Sequence, residues 1–210
     1  DETKSLKQGF IKKEIGFPDT VESMVISGPH YYVANPLFQQ PRKKCKSHRD
    51  YEPLSLAELP TDFLPRVVYR TTEKARSLKF ELEGTKITDL YRLFNRKRAL
   101  ASNERTLISC IMPPRVSHII STFSTSFLDQ KQMVMFAGVT FSLIADYLVK
   151  SNFRGDVLSE SLSIIPFFES PINEIMLRAL MLNCLTSYYK DLWSECWSDS
   201  FTRDAWSYDD

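Results

Sequence analysis

A double proline between two β-rich runs is the sequence feature that most constrains this fold. The first run is apolar and covers residues 107–111, and the second extends over residues 116–127. Proline fixes its own φ angle and donates no backbone hydrogen bond, so Pro113-Pro114 ends one strand before the next begins. The pattern predicts a strand, a corner and a second strand, with Arg105 and Arg115 at the ends of this unit.

Helical periodicity is strongest in two later stretches, 130–150 and 171–197. Apolar residues recur there at three- and four-residue steps, which predicts a helix in each, the second with Pro171 in its first turn. Thr88 is a favourable N-cap, and we expect a further helix to begin there. Branched and aromatic residues predict strands over 24–26, 30–34 and 66–70.

These elements predict an α/β (α+β) fold with a mixed or antiparallel β-sheet core, packed helices and a long C-terminal helix. The chain has 210 residues, of which 43% are hydrophobic, and this is enough to bury a core as one domain. We expect residues 1–23 to be an N-terminal extension or linker from a larger protein. Residues 24–170 would form the α/β domain, 171–198 a helix packed on it, and 199–210 a tail.

Cysteine usage and hydropathy bear on the compartment of the protein. Cys45, Cys110, Cys184 and Cys196 share no metal-ligand spacing, which favours reduced structural thiols and a cytoplasmic location over disulfides or a zinc site. No apolar run reaches the roughly 18 residues that indicate a membrane span. We therefore expect no membrane partner and no bound metal.

Catalytic patterns are scarce in this sequence. His30, His48 and His118 lie far from nucleophile-like neighbours, and no glycine-rich phosphate-binding loop is present. The tetrapeptide Asn35-Pro36-Leu37-Phe38 resembles the Asn-Pro-Pro-Tyr/Phe motif of amino-methyltransferases, but Leu37 replaces the second proline. A turn that ends a strand is the simpler interpretation, and methyltransferase chemistry at this tetrapeptide stays an alternative.

Two basic clusters predict a nucleic-acid interface. Residues 41–49 contain five positive charges and no acid, and a second cluster surrounds residues 92–105. Positive side chains bind phosphates and release counterions, and arginine and asparagine also bond to base edges. A solvated basic surface is the plain alternative. The candidate DNA-binding residues are Arg42, Lys43, Lys44, Lys46, Arg49, Arg92, Arg96, Lys97, Arg98, Arg105, Asn152 and Arg154.

Several segments resemble one family in the order in which that family carries them. Asn-Glu-Arg-Thr-Leu-Ile at 103–108, followed by Ile-Met-Pro-Pro at 111–114, resembles the target-recognition region of type II (type IIG-like) restriction–modification adenine methyltransferases. Residues 28–38 and the following Pro41-Arg42 resemble an upstream passage of the same proteins. The predicted helix over 134–150, with its polar loop and Ile-Pro segment, is also similar to type I specificity subunits. Arg115 stands where this family more usually has glycine.

The resemblance, which spans about residues 24–198, implies a non-catalytic domain that recognises a sequence in double-stranded DNA. It would position the DNA for base flipping in a separate methyltransferase domain of the same polypeptide, in a prokaryotic phage-defence system. S-adenosylmethionine is expected in that catalytic domain and no cofactor in this chain. Whether the parent enzyme is also a restriction endonuclease stays open. A protein-interaction or scaffolding domain of the same larger enzyme is the other alternative.

Overall fold

The computed structural model describes residues 2–100, 102–152 and 155–204, and it has a mixed α/β architecture. The α-helices are α1 (Glu2–Lys7), α2 (Glu73–Arg76), α3 (Gln130–Phe141), α4 (Leu143–Ser151), α5 (Ser159–Leu162), α6 (Asn173–Asn183) and α7 (Lys190–Cys196). The strands are β1 (Ile11–Gly16), β2 (Met24–Ile26), β3 (Gln39–Pro41), β4 (Tyr51–Pro53), β5 (Val67–Thr71), β6 (Glu81–Leu82), β7 (Thr85–Lys86), β8 (Arg92–Arg96), β9 (Ser109–Met112), β10 (Ser117–His118) and β11 (Thr122–Ser126). The predicted α+β class is confirmed.

The larger sheet has four strands in the order β1-β5-β2-β10. The first two pairings are antiparallel, whereas β10 runs parallel to β2, so the sheet is mixed. Its edge strand β1 lies inside the segment that we expected to be an extension or linker. Ile11 pairs with Thr71 and Gly16 with Val67, so this segment is part of the sheet.

The smaller sheet is antiparallel, with β8 between β11 and β9. The strand β9 ends at the double proline, and β10 and β11 follow it, so the predicted strand–corner–strand unit is confirmed. Arg115 completes the corner with a φ angle of 68°, in the left-handed region that favours glycine.

The prediction of a helix that begins at Thr88 is wrong, because residues 92–96 form the central strand β8. Leu93 and Phe94 are both fully buried but lie on opposite faces of the sheet. A strand covered on both faces is apolar without a two-residue period, so its sequence is easily mistaken for one turn of a helix.

The helix predicted over 130–150 is two helices that meet at Ser142 and are bent by 72° relative to each other. Ser142 has an extended conformation, and its Oγ accepts a hydrogen bond from the backbone N–H of Ala145 (3.1 Å), which caps α4. No single helix in the described part of the chain is long and apolar enough to cross a membrane, although this bent pair reaches the required length and composition together.

The long C-terminal helix predicted over 171–197 is also broken, into α6 and α7. The side chain of Asn183 bonds to both backbone groups of Ile111, accepting from its N–H at 2.8 Å and donating to its carbonyl at 2.9 Å. The backbone leaves the helical conformation at Cys184, whose carbonyl accepts a hydrogen bond from Trp193 Nε1 (2.9 Å). Partners distant in sequence thus interrupt a locally helical pattern.

Two apolar clusters cover the two faces of the smaller sheet. Leu93 and Ile111 pack with the apolar faces of α3, α6 and α7, and Phe94 and Met112 pack with the larger sheet. The four cysteines are buried free thiols, as predicted. The smaller sheet is therefore the middle layer of the molecule.

Candidate nucleic-acid interface

Residues 42–50 form a loop, called the basic loop below, at the tip of the antiparallel hairpin β3–β4. Pro41 pairs with Tyr51 at the end of the ladder, and the N–H of Arg42 then donates to the carbonyl of Asp50 (2.9 Å). The nine residues contain five lysines and arginines and a single acid, Asp50. The hairpin therefore carries a dense positive charge on a closed loop.

The single acid organises the backbone of the loop. Asp50 Oδ2 accepts hydrogen bonds from the N–H of Lys46 (2.9 Å), the N–H of Ser47 (2.8 Å) and the hydroxyl of Ser47 (3.2 Å). The backbone bonds from Lys46 and Ser47 lower the pKa of Asp50, so the carboxylate stays ionised well into the acid range. Asp50 thus fixes the backbone of the loop and forms no salt bridge with the basic side chains that the structure describes.

The basic side chains of the loop all point into solvent. Arg42, Lys43, Lys44, Lys46 and Arg49 are exposed, and none of them forms a salt bridge with another residue that the structure describes. Cys45 points the other way, is buried, and donates its thiol hydrogen to the carbonyl of Ser47 (3.4 Å). The loop consequently exposes its cations and buries the side chain of Cys45.

Arg66 ties the base of the hairpin to the body of the protein. Its Nη1 donates to the carbonyl of Pro41 (2.7 Å) and lies 3.1 Å from Glu52 Oε1, and its N–H donates to the side chain of Gln40. Arg66 is itself only 7% exposed. The hairpin is therefore fixed at its base as well as at its tip.

A buried histidine completes this base. His30 Nδ1 accepts the N–H of Ser27 (3.1 Å), its Nε2 bonds to the carbonyl of Arg66 (3.2 Å), and its ring packs edge-on against Tyr51. Burial lowers the pKa of His30 to about 4, so the ring is neutral at pH 7.

Lys13 of β1 is a further exposed cation. Burial raises the pKa of Cys45 in the loop, and the charge of Lys13 partly opposes that rise. Lys13 was not among the predicted residues, because the first 23 residues were expected to form a linker.

The arginines of β8 do not lie on the surface with the loop, contrary to expectation. Arg92 is 5% exposed and donates Nη2 to the carbonyl of Val116, and its burial lowers its pKa to about 10. Arg96 donates to the carbonyls of Gly28 (2.7 and 3.1 Å) and Tyr31 (2.7 Å). Both side chains satisfy buried carbonyl groups, so we remove them from the candidate interface.

Arg105 is likewise a residue of the interior. It donates to the carbonyls of Phe141 (3.0 Å) and Ser142 (3.2 Å) at the C-terminus of α3, and it lies 3.5 Å from the Asp146 carboxylate. Asp146 also accepts the N–H groups of Thr106 (2.8 Å) and Leu107 (2.7 Å). This network holds the start of the strand–corner–strand unit against α4. Arg105 was predicted to contact DNA, and its bonds to interior carbonyls remove it from the candidate interface as well.

The remaining candidates are separate from the basic loop in their contacts. Lys97 forms a salt bridge with Asp156 (3.5 Å), and exposed Arg98 forms a backbone bridge with the same residue. Asn152 donates its side-chain N–H to the carbonyl of Leu148 (2.9 Å) at the end of α4. Arg154 lies outside the described residues.

The tetrapeptide at 35–38 forms a turn. Asn35 Oδ1 accepts the N–H of Leu37 (3.0 Å), and Ala34 precedes it with a φ angle of 54°. In the methyltransferase motif this amide would bond to the target amine, but here its oxygen already has a backbone partner. The geometry favours the interpretation as a turn.

No protein-family model, no curated protein and no solved structure matches this chain. A function is therefore inferred from the geometry of the basic loop and from the motifs in the sequence.

Proposed function

We propose that this chain binds double-stranded DNA, with the basic loop as its main phosphate-binding surface. The observation that carries this proposal is the loop itself: five exposed cations, without salt-bridge partners among the described residues, on a hairpin fixed at base and tip. A duplex carries one phosphate charge per ~1.7 Å of axis, so a dense cluster of free cations is well suited to it.

The fixed backbone of the loop makes binding less costly in entropy. Lysine and arginine side chains lose rotamer freedom when they bind, but a loop already held by Asp50 and Arg66 needs no additional backbone ordering. Contacts of this kind set the orientation of the DNA and carry little sequence information. Base reading would then come from other exposed groups, and Arg98 and Asn152 are predicted residues that are exposed outside the loop.

The choice of double-stranded DNA over another polyanion comes from the motifs at 28–38, 103–108 and 111–114. They support a non-catalytic recognition domain of an adenine-specific restriction–modification methyltransferase, whose catalytic domain would bind S-adenosylmethionine and the flipped base. The alternative of methyltransferase chemistry at Asn35 is less favoured, because the side-chain oxygen of that residue is engaged in a turn.

The test compares two triple variants that remove the same charge. Arg42→Gln/Lys43→Gln/Lys44→Gln neutralises the basic loop, and Lys79→Gln/Lys131→Gln/Lys190→Gln neutralises three exposed lysines on other parts of the surface. Affinity for a fluorescent mixed-sequence DNA duplex is measured by anisotropy. We expect the loop variant to bind at least about tenfold more weakly, since each exposed charge contact contributes up to about 1 kcal/mol, and the control to bind nearly as the wild type.

Equal losses in the two variants would mean that net charge alone drives binding, which contradicts the proposal. Unchanged binding by the loop variant would contradict it as well. A single-stranded DNA and an RNA duplex of the same length serve as further probes, and stronger binding to either would replace double-stranded DNA as the ligand.

A further inference from the structure

The strand β11 is an open edge of the smaller sheet. Lys97 donates its N–H to the carbonyl of Ser121 (2.9 Å), so the backbone groups of residues 121, 123 and 125 point towards β8. Those of Ser124 and Ser126 point the opposite way, out of the sheet. No side chain and no backbone group outside the strand ladder bonds to the backbone of Ser124 or Ser126 in the described part of the chain.

A cleft of about 830 Å³ runs beside this edge. Its lining includes Phe80, Leu82 and Ile87, from the β6–β7 hairpin and the residues that flank it, and Leu162 and Phe167, from α5 and the segment after it. Residues of β11 from both faces of the strand also line the cleft. The cleft therefore lies next to a row of unused backbone donors and acceptors.

The two sides of the cleft differ in chemistry. Ser126 pairs with Arg92, whose side chain contributes to the lining of the cleft on the Ser126 side of β11. The opposite side presents phenylalanine rings, among them Phe127 stacked on Phe167 at 6.4 Å with 6° between their planes. Arg92 carries the formal charge of this lining, which includes no acid among its described residues.

We infer that this cleft binds an extended peptide of a partner protein as an added β-strand, with apolar side chains at alternate positions and a carboxylate side chain on the Arg92 side. A strand pairs with an edge through its backbone, and its side chains alternate between the two faces. Here one face meets the phenylalanine rings and the other meets the Arg92 guanidinium.

The elements around the edge favour one kind of partner. A second copy of this chain would have to place its own β6–β7 hairpin and α5 beside the same edge, whereas a single extended strand brings only its own width. DNA has no ladder of alternating donors and acceptors to match Ser124 and Ser126, and its phosphates would lie against apolar rings. A single extended polypeptide satisfies the edge and both sides.

The binding sequence is found by selection of heptapeptides from a random displayed library on the immobilised protein. We expect the enriched peptides to alternate apolar and polar residues and to include Asp or Glu at a polar position. One selected peptide, labelled with fluorescein, then reports affinity by fluorescence polarisation. A failure to enrich any peptide above the bare support would overturn the inference.

Ser126→Pro is the decisive variant, and Ser126→Ala is its matched control. Both remove the hydroxyl, but only proline removes the outward N–H, and it does so without loss of a ladder bond to β8. We expect the proline variant to bind the peptide about tenfold more weakly and the alanine variant to bind nearly as the wild type, since one peptide hydrogen bond is lost and its acceptor is left unpaired. Equal affinity of the two variants would overturn the inference.

A peptide methylated at alternate backbone nitrogens provides a second measurement that needs no change in the protein. One of the two possible methylation phases blocks the bonds to Ser124 and Ser126, and we expect this peptide alone to lose binding. Binding by both methylated peptides would contradict strand addition. DNA binding by Ser126→Pro is expected to stay at the wild-type level, so this test is separate from that of the basic loop.

Discussion

The basic loop and the arginines of the smaller sheet use the same type of residue in opposite ways. In the loop, Arg42 and Arg49 are exposed and form no salt bridge within the described chain. In the interior, Arg96 and Arg105 donate hydrogen bonds to backbone carbonyls. The number of positive charges in a stretch of sequence therefore does not indicate whether those charges are free to bind a ligand. That depends on the hydrogen-bond partners that the fold places around each side chain.

The largest loss of stability is expected from Asp146→Ala, which removes the carboxylate beside the interior residue Arg105. The variant leaves Arg105 without its carboxylate and leaves the N–H groups of Thr106 and Leu107 unpaired. Removal of one partner from a buried pair costs about 3–5 kcal/mol, so we expect the free energy of unfolding in urea to fall by that amount. The control is Asp156→Ala, which removes an exposed partner of Lys97 and should cost less than about 1 kcal/mol.

The next effect is a pH dependence that comes from the base of the hairpin. The pKa of His30 is lowered to about 4 in the folded protein from 6.5 in the unfolded chain, so the unfolded chain takes up a proton first as the pH falls. The stability contributed by neutral His30 is present above pH 6.5 and declines between pH 6.5 and 4, by roughly 2 to 3 kcal/mol from pH 7 to pH 4.5.

Urea unfolding of His30→Gln and His48→Gln at both pH values measures this contribution. His48 is the exposed histidine of the basic loop, so its variant should keep the wild-type pH dependence, whereas His30→Gln should lose most of it. The same dependence in both histidine variants would show that another group is responsible.

Arg96→Ala gives a smaller loss and tests directly whether this arginine belongs to the interior. It removes three hydrogen bonds to the carbonyls of Gly28 and Tyr31, and we expect a loss of about 2 kcal/mol in the free energy of unfolding. DNA affinity of the folded variant should match that of the wild type. A stable variant with weaker DNA binding would return Arg96 to the interface.

The smallest effect on overall stability is expected from Asp50→Ala. The carboxylate holds only the loop, so the urea midpoint should not change, but the amides of Lys46 and Ser47 should exchange with solvent faster. The pKa of Asp50 is lower in the folded protein than in the unfolded chain. The stabilisation from its hydrogen bonds is therefore complete above the unfolded pKa and is lost as the pH falls through the folded pKa. Unchanged exchange of both amides would contradict this role.

The sequence predicted those features that depend on neighbours close in the chain. The strand–corner–strand unit follows from Pro113-Pro114, and the exposed loop follows from its run of charges. The break at Asn183 was not predictable, because its cause is a pair of hydrogen bonds to Ile111, 72 residues away. Similarly, β1 is a strand because it pairs with β5, and a charged six-residue segment gives little local indication of that.

The candidate site divides in the same way. Exposure of the loop cations could be expected from a polar stretch between prolines, whereas the burial of Arg92 and Arg96 depends on the layers that cover both faces of β8. Reading this segment as a strand would have suggested that both arginines are buried. In a strand, residues 92, 94 and 96 share one face, and the apolar Phe94 between the two arginines indicates that this face is covered. Assigning a helix there placed the arginines in the wrong environment.

The central claim is that the basic loop, and not the sheet arginines, binds phosphate, and the salt dependence of DNA binding tests it most directly. The slope of the logarithm of the binding constant against the logarithm of the salt concentration changes by about 0.9 for each phosphate that the protein no longer neutralises. We predict that Arg42→Gln/Lys43→Gln/Lys44→Gln makes this slope shallower by about 2 to 3, and that Arg96→Ala leaves it unchanged. A wild-type slope in the loop variant, or a shallower slope in Arg96→Ala, would contradict the claim.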